Sequence, residues 1–222
     1  MLRAIILDFD GLIADTEITD FTSWQEVFAA HGQELDIDVW SLFIGTRGGF
    51  DPYALLEELT GAPVDRPAIQ VTRRAREAEL RRGIMPLPGV EARLLEARAS
   101  ALQVGLASSA ADAWVVEHLD RFRLGAYFDT VVCSGTSLPS KPDPAVYSAA
   151  LDRLGVRPEA AIAFEDSPNG IAAAKAAGMR CVAVPNQLTA RLDLSAADGL
   201  YRSMAAFTLA DLDRLFWPRS AV

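Results

Sequence analysis

The stretch "IILDFDGLIADTE" (residues 5–17) places two acidic residues directly after a run of apolar side chains. The apolar residues up to Leu7 predict a buried β-strand, and Gly11 follows the second acid. Asp8 and Asp10 are two residues apart, so they would share one face of the strand if it extends that far. Two unit charges about 4 Å apart repel by about 4 kcal/mol at an effective dielectric constant of about 20. The sequence therefore predicts that another group offsets this repulsion.

Four further short apolar runs follow along the chain, and helical patterns come after most of them. This alternation of strands and helices predicts parallel βαβ units. The expected fold class is therefore α/β, with a doubly wound parallel sheet. The five predicted strands are "AIILDFD" (residues 4–10), "LQVGLASS" (102–109), "FDTVVCSG" (128–135), "AAIAFED" (160–166) and "RCVAVPN" (180–186).

The segment between the first two predicted strands breaks this alternation. From about residue 15 to residue 83 the pattern is helical throughout, and its helical runs end at glycines: Gly32, Gly45, Gly61 and Gly83. A segment of this length is too long for a loop in a compact domain. We therefore predict an inserted helical domain at residues 16–83, with the α/β core formed by residues 1–15 and 84–222.

Composition and charge restrict the class of protein. Half of the 222 residues are apolar, which is ample for a hydrophobic core, and the net charge of −9 argues against nucleic-acid binding. The first apolar run ends at Asp8, and no apolar stretch reaches the roughly 20 residues of a membrane span. We therefore expect no signal peptide, no membrane contact and a cytoplasmic location.

Cys133 and Cys181 are expected to be buried thiols of a reduced protein. The sequence does not indicate an oligomeric state.

Polar residues stand at the ends of the predicted strands, where open parallel sheets bind their ligands. The second strand ends in Ser108 and Ser109, and the fourth ends in Glu165 and Asp166. The loop after the third strand contains Lys141, one of only two lysines in a chain that otherwise uses arginine. Each residue alone has an ordinary explanation, such as a helix cap or a surface position. Together they indicate a functional site at this edge of the sheet.

Four segments resemble, in order, the motifs of the haloacid dehalogenase-like superfamily. They are "DFDGLIADTE" (residues 8–17), "LASSA" (106–110), "SKPDPAVY" (140–147) and "FEDSPNGIAAAKAAGM" (164–179). Within the superfamily the chain is similar to the phosphatases and β-phosphoglucomutase-like members that carry a helical cap after the first motif. The resemblance implies a Rossmann-like core with that cap and a phosphoric monoester hydrolase. It also implies that the first strand lies beside the fourth.

This strand order would bring four carboxylates together, and such crowding needs a cation. The resemblance implies Mg²⁺, which prefers hard oxygen ligands. Asp8 would supply a side-chain oxygen, and Asp10 its backbone carbonyl. Asp166 would coordinate directly, and Glu165 through water. The cation would then offset the repulsion between the acids of the first motif.

The resemblance further implies a covalent mechanism. Asp8 would attack phosphorus to form an aspartyl-phosphate, and Asp10 would serve as general acid and then as general base. Ser108 would bind the phosphoryl oxygens, and Lys141 would neutralise their charge. The other expected contacts to the phosphate or the substrate are Gly11, Ser109, Asn169 and Arg47, the last in the cap turn "FIGTRGG".

The leading hypothesis is a Mg²⁺-dependent phosphatase that acts on a small phosphorylated metabolite, with a sugar phosphate as the expected substrate. One alternative is a β-phosphoglucomutase-type isomerase that uses the same aspartates. Mutases of that group use a cap lysine, and the predicted cap contains none. Another alternative is a non-catalytic binding protein on this scaffold, although none of the key groups is missing. A haloacid dehalogenase needs neither an acid at position 10 nor a metal. This chain has Asp10 and the acids Glu165 and Asp166, so that class is disfavoured.

Overall fold

The computed structural model describes residues 1–41, 50–135 and 137–218. In these residues parallel strands form one six-stranded sheet with the order β3-β2-β1-β4-β5-β6. The strands are β1 (Ala4–Leu7), β2 (Gln103–Ser108), β3 (Thr130–Cys133), β4 (Ala161–Glu165), β5 (Arg180–Ala183) and β6 (Gly199–Leu200). The helices are α1 (Glu17–Ala30), α2 (Ile37–Ser41), α3 (Pro52–Thr60), α4 (Arg66–Arg82), α5 (Val90–Ala99), α6 (Asp112–Phe122), α7 (Ala145–Leu154), α8 (Pro168–Ala176) and α9 (Leu209–Phe216).

Strand β1 lies in the middle of the sheet and is completely buried. Its last residue, Leu7, pairs with Leu106 of β2 on one side and with Phe164 of β4 on the other. The amide of Asp8 continues this ladder, because it donates to the carbonyl oxygen of Phe164 at 3.0 Å. Parallel neighbours end at the same edge, so the residues that follow β1, β2 and β4 meet there.

Alternate side chains of β1 point into two separate apolar cores, as the pleat of a strand requires. Ile5 and Leu7 belong to a core that includes Leu94 of α5 and Leu212 of α9. Ala4 and Ile6 belong to a second core, which includes Tyr147 of α7 and Ile171 of α8. Helices therefore cover both faces of the sheet, and the predicted doubly wound α/β fold is confirmed.

Helices α1 to α4 come between β1 and α5, where the sequence predicts only helices. We call this part of the chain the helical segment. Helix α1 packs against α4. Large side chains from α1, α2, α3 and the loop between α1 and α2 form a cluster that we call the aromatic cluster. Its buried members are Phe21, Trp24, Phe28, Leu35, Trp40, Leu56 and Leu188. Leu188 comes from the segment after β5, not from this helical segment. The division into core and cap at residues 15/16 and 83/84 stays a prediction.

Two details differ from the sequence prediction. Strand β1 ends at Leu7, because the chain turns and the amides of Ile13 and Ala14 donate to the carbonyl oxygen of Phe9. The two acids therefore follow the strand and do not share one of its faces. The sheet also contains β6, which the apolar pattern did not reveal because this strand has only two residues.

Both cysteines are buried free thiols, as the sequence predicts. Among helices in the described ranges, none combines the length and the apolar composition needed to cross a lipid bilayer. The cytoplasmic location stays a prediction.

Candidate active site

The first two residues of the site come from distant parts of the chain and form an ion pair. Asp8 follows β1 and is buried, and its Oδ1 accepts a hydrogen bond from Nζ of Lys141 at 2.6 Å. Lys141 lies in the loop after β3, and only 6% of its side chain is exposed. Burial lowers the pKa of Lys141, but the charges of Asp8 and Glu165 outweigh burial and raise this pKa above its usual value. Lys141 therefore remains positively charged at physiological pH.

Glu165 is the last residue of β4 and is completely buried. Its Oε1 accepts hydrogen bonds from Nζ of Lys141 at 2.6 Å and from the hydroxyl of Tyr147 at 2.5 Å. A Cβ atom on Gly170, in the first turn of α8, would overlap the Glu165 carboxylate. Oε2 of Glu165 is buried without a hydrogen-bond partner among the described residues. Because an unpaired buried carboxylate oxygen is costly, this atom fits a site that binds a cation.

Asp166 follows Glu165 in the chain and is also buried. Its Oδ2 accepts a hydrogen bond from Nδ2 of Asn186 at 2.9 Å. Gly11 has a φ angle of +84°, which favours glycine. A Cβ atom on Gly11 would also overlap the Asp166 carboxylate. The glycine of the first motif therefore lets the chain approach this acid closely.

The carboxylates of Asp8, Glu165 and Asp166 offer oxygen atoms that all lie within 4.8 Å of one another. Burial, together with the charge of Glu165, raises the pKa of Asp8 to about 7. Burial and the charges of Asp8 and Glu165 raise the pKa of Asp166 well above its usual range. One lysine cannot neutralise three carboxylates, and oxygen donors suit a hard divalent cation. These residues could therefore hold the expected Mg²⁺.

The carboxylate of Asp10 is not one of these three. Its Oδ1 accepts hydrogen bonds from Oγ1 of Thr16 at 2.6 Å and from Nε1 of Trp114 at 3.0 Å. Thr16 directly precedes α1, and Trp114 lies on α6. The side chain of Asp10 is thus fixed by the start of the helical segment and by the core. The coordination of a metal through its backbone carbonyl stays a prediction.

The two serines after β2 have different environments. Ser108 is buried, and its Oγ accepts a hydrogen bond from the amide of Ala110 at 3.0 Å. Ser109 is exposed, and its Oγ accepts from the amide of Lys141 at 3.1 Å. The carbonyl oxygen of Ser109 also accepts from Oγ of Ser134 at 2.8 Å. Ser109 therefore holds the loop that carries the lysine, and the phosphate contacts of both serines stay predictions.

Two other expected contacts are less closely defined. Asn169 lies in the first turn of α8 and is half-buried, and its contact with substrate stays a prediction. Arg47 lies outside the described residues, so its expected role has no structural account here.

Sequence reasoning misses three residues that contact the acids of the site. Tyr147 belongs to the third motif, but an aromatic residue in a helical pattern indicates core packing, and only its hydroxyl reaches Glu165. Asn186 ends the fifth predicted strand, and this position at a strand end is the signal that points to it. Trp114 has no signal in the sequence, because its contact with Asp10 depends on how α6 packs.

Comparison with known proteins identifies the family of this chain. A family model described as "Haloacid dehalogenase-like hydrolase" matches residues 5–184. The chain belongs to this family. The protein YhcW of Bacillus subtilis (strain 168) is 42% identical over 210 residues, which are 95% of this chain and 96% of that protein. The phosphorylated carbohydrates phosphatase of Thermotoga maritima is 31% identical over 189 residues, which are 80% of this chain and 82% of that protein.

A solved structure gives the same result for this haloacid dehalogenase-like hydrolase. The crystal structure of CbbY from Rhodobacter sphaeroides in complex with phosphate is similar, with a TM-score of 0.70 and 32% identity. The similarity covers 96% of this chain and 100% of that one. These comparisons confirm the predicted family and fold class. The family and the names of the relatives also confirm the predicted class of phosphoric monoester hydrolase.

Proposed function

We propose that this chain is a Mg²⁺-dependent phosphatase that hydrolyses a small sugar phosphate through an aspartyl-phosphate. The observation that carries this proposal is the contact of Asp8 with Lys141, beside the carboxylates of Glu165 and Asp166. It combines a nucleophile, a fixed positive charge and oxygen donors for a cation in one buried group. Phosphoryl transfer by a carboxylate needs these parts.

In the first step, an oxygen atom of Asp8 forms a bond to phosphorus while the bond from phosphorus to the ester oxygen breaks. The hydrogen bond from Lys141 holds the carboxylate in one orientation, and the ammonium group neutralises charge on the phosphoryl oxygens. When bound, Mg²⁺ supplies positive charge that offsets the repulsion between the carboxylates and the incoming phosphate. Asp8 must be ionised to attack, so its raised pKa has to fall when the site is loaded.

Asp10 is the proposed proton donor to the leaving oxygen. In the second step Asp10 takes a proton from a water molecule, whose oxygen bonds to phosphorus as the bond to Asp8 breaks. This step releases phosphate and restores the Asp8 carboxylate. The hydrogen bonds from Thr16 and Trp114 to one oxygen of Asp10 keep the carboxyl group in place for both transfers.

We also propose that residues 16–83 are a cap that covers the site and selects the substrate. Helix α1 begins directly after Thr16, so a movement of this segment would reach Asp10. Arg47 is the proposed contact for a second polar group of the substrate. The phosphate would be bound by Gly11, Ser108, Ser109 and Asn169. The choice of a sugar phosphate rests on a relative that is named as a phosphorylated carbohydrates phosphatase.

A phosphate-release screen over sugar phosphates, nucleotides and phosphoglycolate tests this proposal. We expect release from at least one sugar phosphate with Mg²⁺, much less with a chelator, and none from Asp8→Asn. A folded wild-type protein that releases no phosphate from any compound would favour a non-catalytic binding protein. β-Glucose 1-phosphate with a trace of the bisphosphate tests the other alternative, because isomerised product without free phosphate would favour a mutase.

A further inference from the structure

The segment after β5 contacts both Asp166 of the site and the aromatic cluster. Nδ2 of Asn186 donates to Oδ2 of Asp166 at 2.9 Å and to the carbonyl oxygen of Gly11 at 3.2 Å. Two residues further on, Leu188 is fully buried in the aromatic cluster. One short piece of chain thus connects a carboxylate of the site to the helical segment.

The side chain of Asn186 is fixed at both ends of its amide group. Oδ1 accepts hydrogen bonds from the amides of Leu188 at 2.8 Å and of Thr189 at 2.9 Å. Because a carbonyl oxygen accepts and an NH₂ group donates, these two contacts oblige Nδ2 to face Asp166 and Gly11. Oγ1 of Thr189 also accepts from the amide of Asn186 at 3.1 Å, which closes the turn. The turn therefore presents one amide donor to Asp166 in a single orientation.

On the side that faces away from Asp166, contacts with α2 hold this turn against the helical segment. Oγ of Ser41, on α2, lies 3.1 Å from the carbonyl oxygen of Leu188 and shares its proton between this oxygen and the carbonyl of Ile37 at 2.7 Å. Arg191 forms an ion pair with Asp38 of the same helix. The fully buried side chain of Leu188 adds apolar contact between the turn and the helical segment. The position of the turn therefore depends on the docking of the helical segment.

We propose that Asn186 is a positioning residue for Asp166 and that Leu188 couples this positioning to the docking of the helical segment. The inference rests on the proposed function, because it gives Asp166 the role of a metal ligand. A donor that fixes one oxygen of a metal-binding carboxylate orients the other, and loss of such an outer partner weakens metal binding by about 10- to 100-fold. Asn186 would supply this orientation without adding a charge.

Calorimetric titration of the full-length protein with Mg²⁺, without substrate, tests the role of Asn186. We expect Asn186→Ala to bind Mg²⁺ about tenfold more weakly or worse. Asn186→Ser retains an acceptor for the turn but is too short to reach Asp166, so we expect a similar loss. Gln187→Ala is the matched control, because Gln187 is exposed. Its hydrogen bond with Arg191 is made by the backbone carbonyl, which the substitution leaves in place. Wild-type affinity in folded Asn186→Ser or Asn186→Ala would overturn the inference.

A pair of leucine variants tests the coupling. Leu188→Ala and Leu56→Ala each remove a fully buried side chain from the aromatic cluster, but only Leu188 is joined to the Asn186 turn. We expect both to lower the melting temperature and only Leu188→Ala to weaken Mg²⁺ binding, by several-fold. Equal Mg²⁺ affinities in the two variants would overturn the coupling.

The wild-type protein separates this inference from the proposed function. Failure of the wild type to bind Mg²⁺ and to hydrolyse p-nitrophenyl phosphate would contradict both. Normal binding and hydrolysis by the wild type, with unchanged Mg²⁺ affinity in the Asn186 variants, would contradict only the inference. We also expect the Asn186 variants to need more Mg²⁺ for half-maximal activity and to recover much of their maximal rate at high Mg²⁺.

Discussion

Nζ of Lys141 lies 2.6 Å from Oδ1 of Asp8, although the two residues are 133 positions apart in the sequence. The same nitrogen lies 2.6 Å from Oε1 of Glu165. A single buried cation thus connects the end of β1 to the end of β4. This contact explains how the acids at the ends of two different strands can lie side by side. With both carboxylates ionised, Lys141, Asp8 and Glu165 together keep one negative charge, which a metal cation would neutralise.

Lys141→Met should reduce activity by about a hundredfold or more, because it removes the fixed positive charge beside the proposed nucleophile. The variant is checked by kcat/KM for p-nitrophenyl phosphate, with circular dichroism as evidence of folding. Lys175→Met is the matched control. Lys175 is the other lysine of the chain and pairs with Asp198 away from the site. A similar loss in both variants would argue against a special role for Lys141.

Gly11→Ala should abolish Mg²⁺ binding and activity, because the added Cβ would overlap the Asp166 carboxylate. Gly32→Ala is the control that distinguishes the effect of this overlap from the effect of a positive φ angle. Gly32 also has a positive φ angle, +70°, but nothing lies within 4 Å of where its Cβ would be. We expect Gly32→Ala to lose only about 1 kcal/mol of unfolding free energy and to keep full activity. Activity in Gly11→Ala close to that of Gly32→Ala would contradict the described geometry.

The free energy of unfolding of the metal-free protein should fall as the pH rises from about 4 to about 7. The pKa of Asp8 is raised from 3.8 to about 7 in the folded protein by burial and by Glu165. Between these values the folded state holds a proton that the unfolded state has lost, so stability decreases with pH. Asp166 adds to this trend because its pKa is also raised. Urea unfolding at pH 5 and pH 7, in the presence of a chelator, measures the difference.

Asp8→Asn is the control for the pH effect, because it removes the titration of Asp8 and also the Asp8 charge that helps to raise the pKa of Asp166. Glu17 should still contribute, since burial and Asp10 raise its pKa to about 7 as well. Saturating Mg²⁺ should reduce the pH dependence of the wild type, because a cation replaces the protons. An identical pH dependence in wild type and Asp8→Asn would show that Asp8 has an ordinary pKa.

Trp114→Phe should slow the hydrolysis of sugar phosphates by about tenfold, because Oδ1 of Asp10 loses one of the two hydrogen bonds that it accepts from described residues. The loss should be smaller for p-nitrophenyl phosphate, whose leaving group needs little protonation. Trp217→Phe is the control, because Nε1 of Trp217 donates to the carbonyl oxygen of Glu159 and not to a site residue. Equal losses of Trp114→Phe on both substrates would count against a role in proton transfer.

The sequence predicts the sheet well because buried parallel strands are continuous apolar runs, as in Ala4–Leu7. The strand order that the family resemblance implies also brings Asp8, Glu165 and Asp166 together, as the structure shows. The sequence does not predict that the side chain of Asp10 faces Thr16 and Trp114 instead of the other carboxylates. That direction depends on the turn after β1 and on the packing of α6, which are set by tertiary contacts.

The packing of Leu188, in the segment after β5, also could not be predicted from the sequence. Nothing in "VPNQLTA" (residues 184–190) indicates that Leu188 packs in a cluster of helices that precedes it by more than a hundred residues. Strand β6 was not predicted for a simpler reason: its two residues are too few to show the alternation of apolar and polar side chains that indicates a strand. Patterns within the sequence thus predict the helices, the strands and the edge of the sheet that carries the site. Contacts between distant segments become visible only in the folded structure.

The proposed mechanism requires Asp8 to become esterified to phosphorus during turnover. Rapid acid quenching during hydrolysis of a good substrate, followed by mass spectrometry of the peptides, tests it directly. We predict a phosphoryl group on Asp8 that is stable in acid, is lost in mild alkali and is absent from Asp8→Asn. Rapid turnover with no modification of Asp8 at any quench time, or with the phosphoryl group on another residue, would contradict the account.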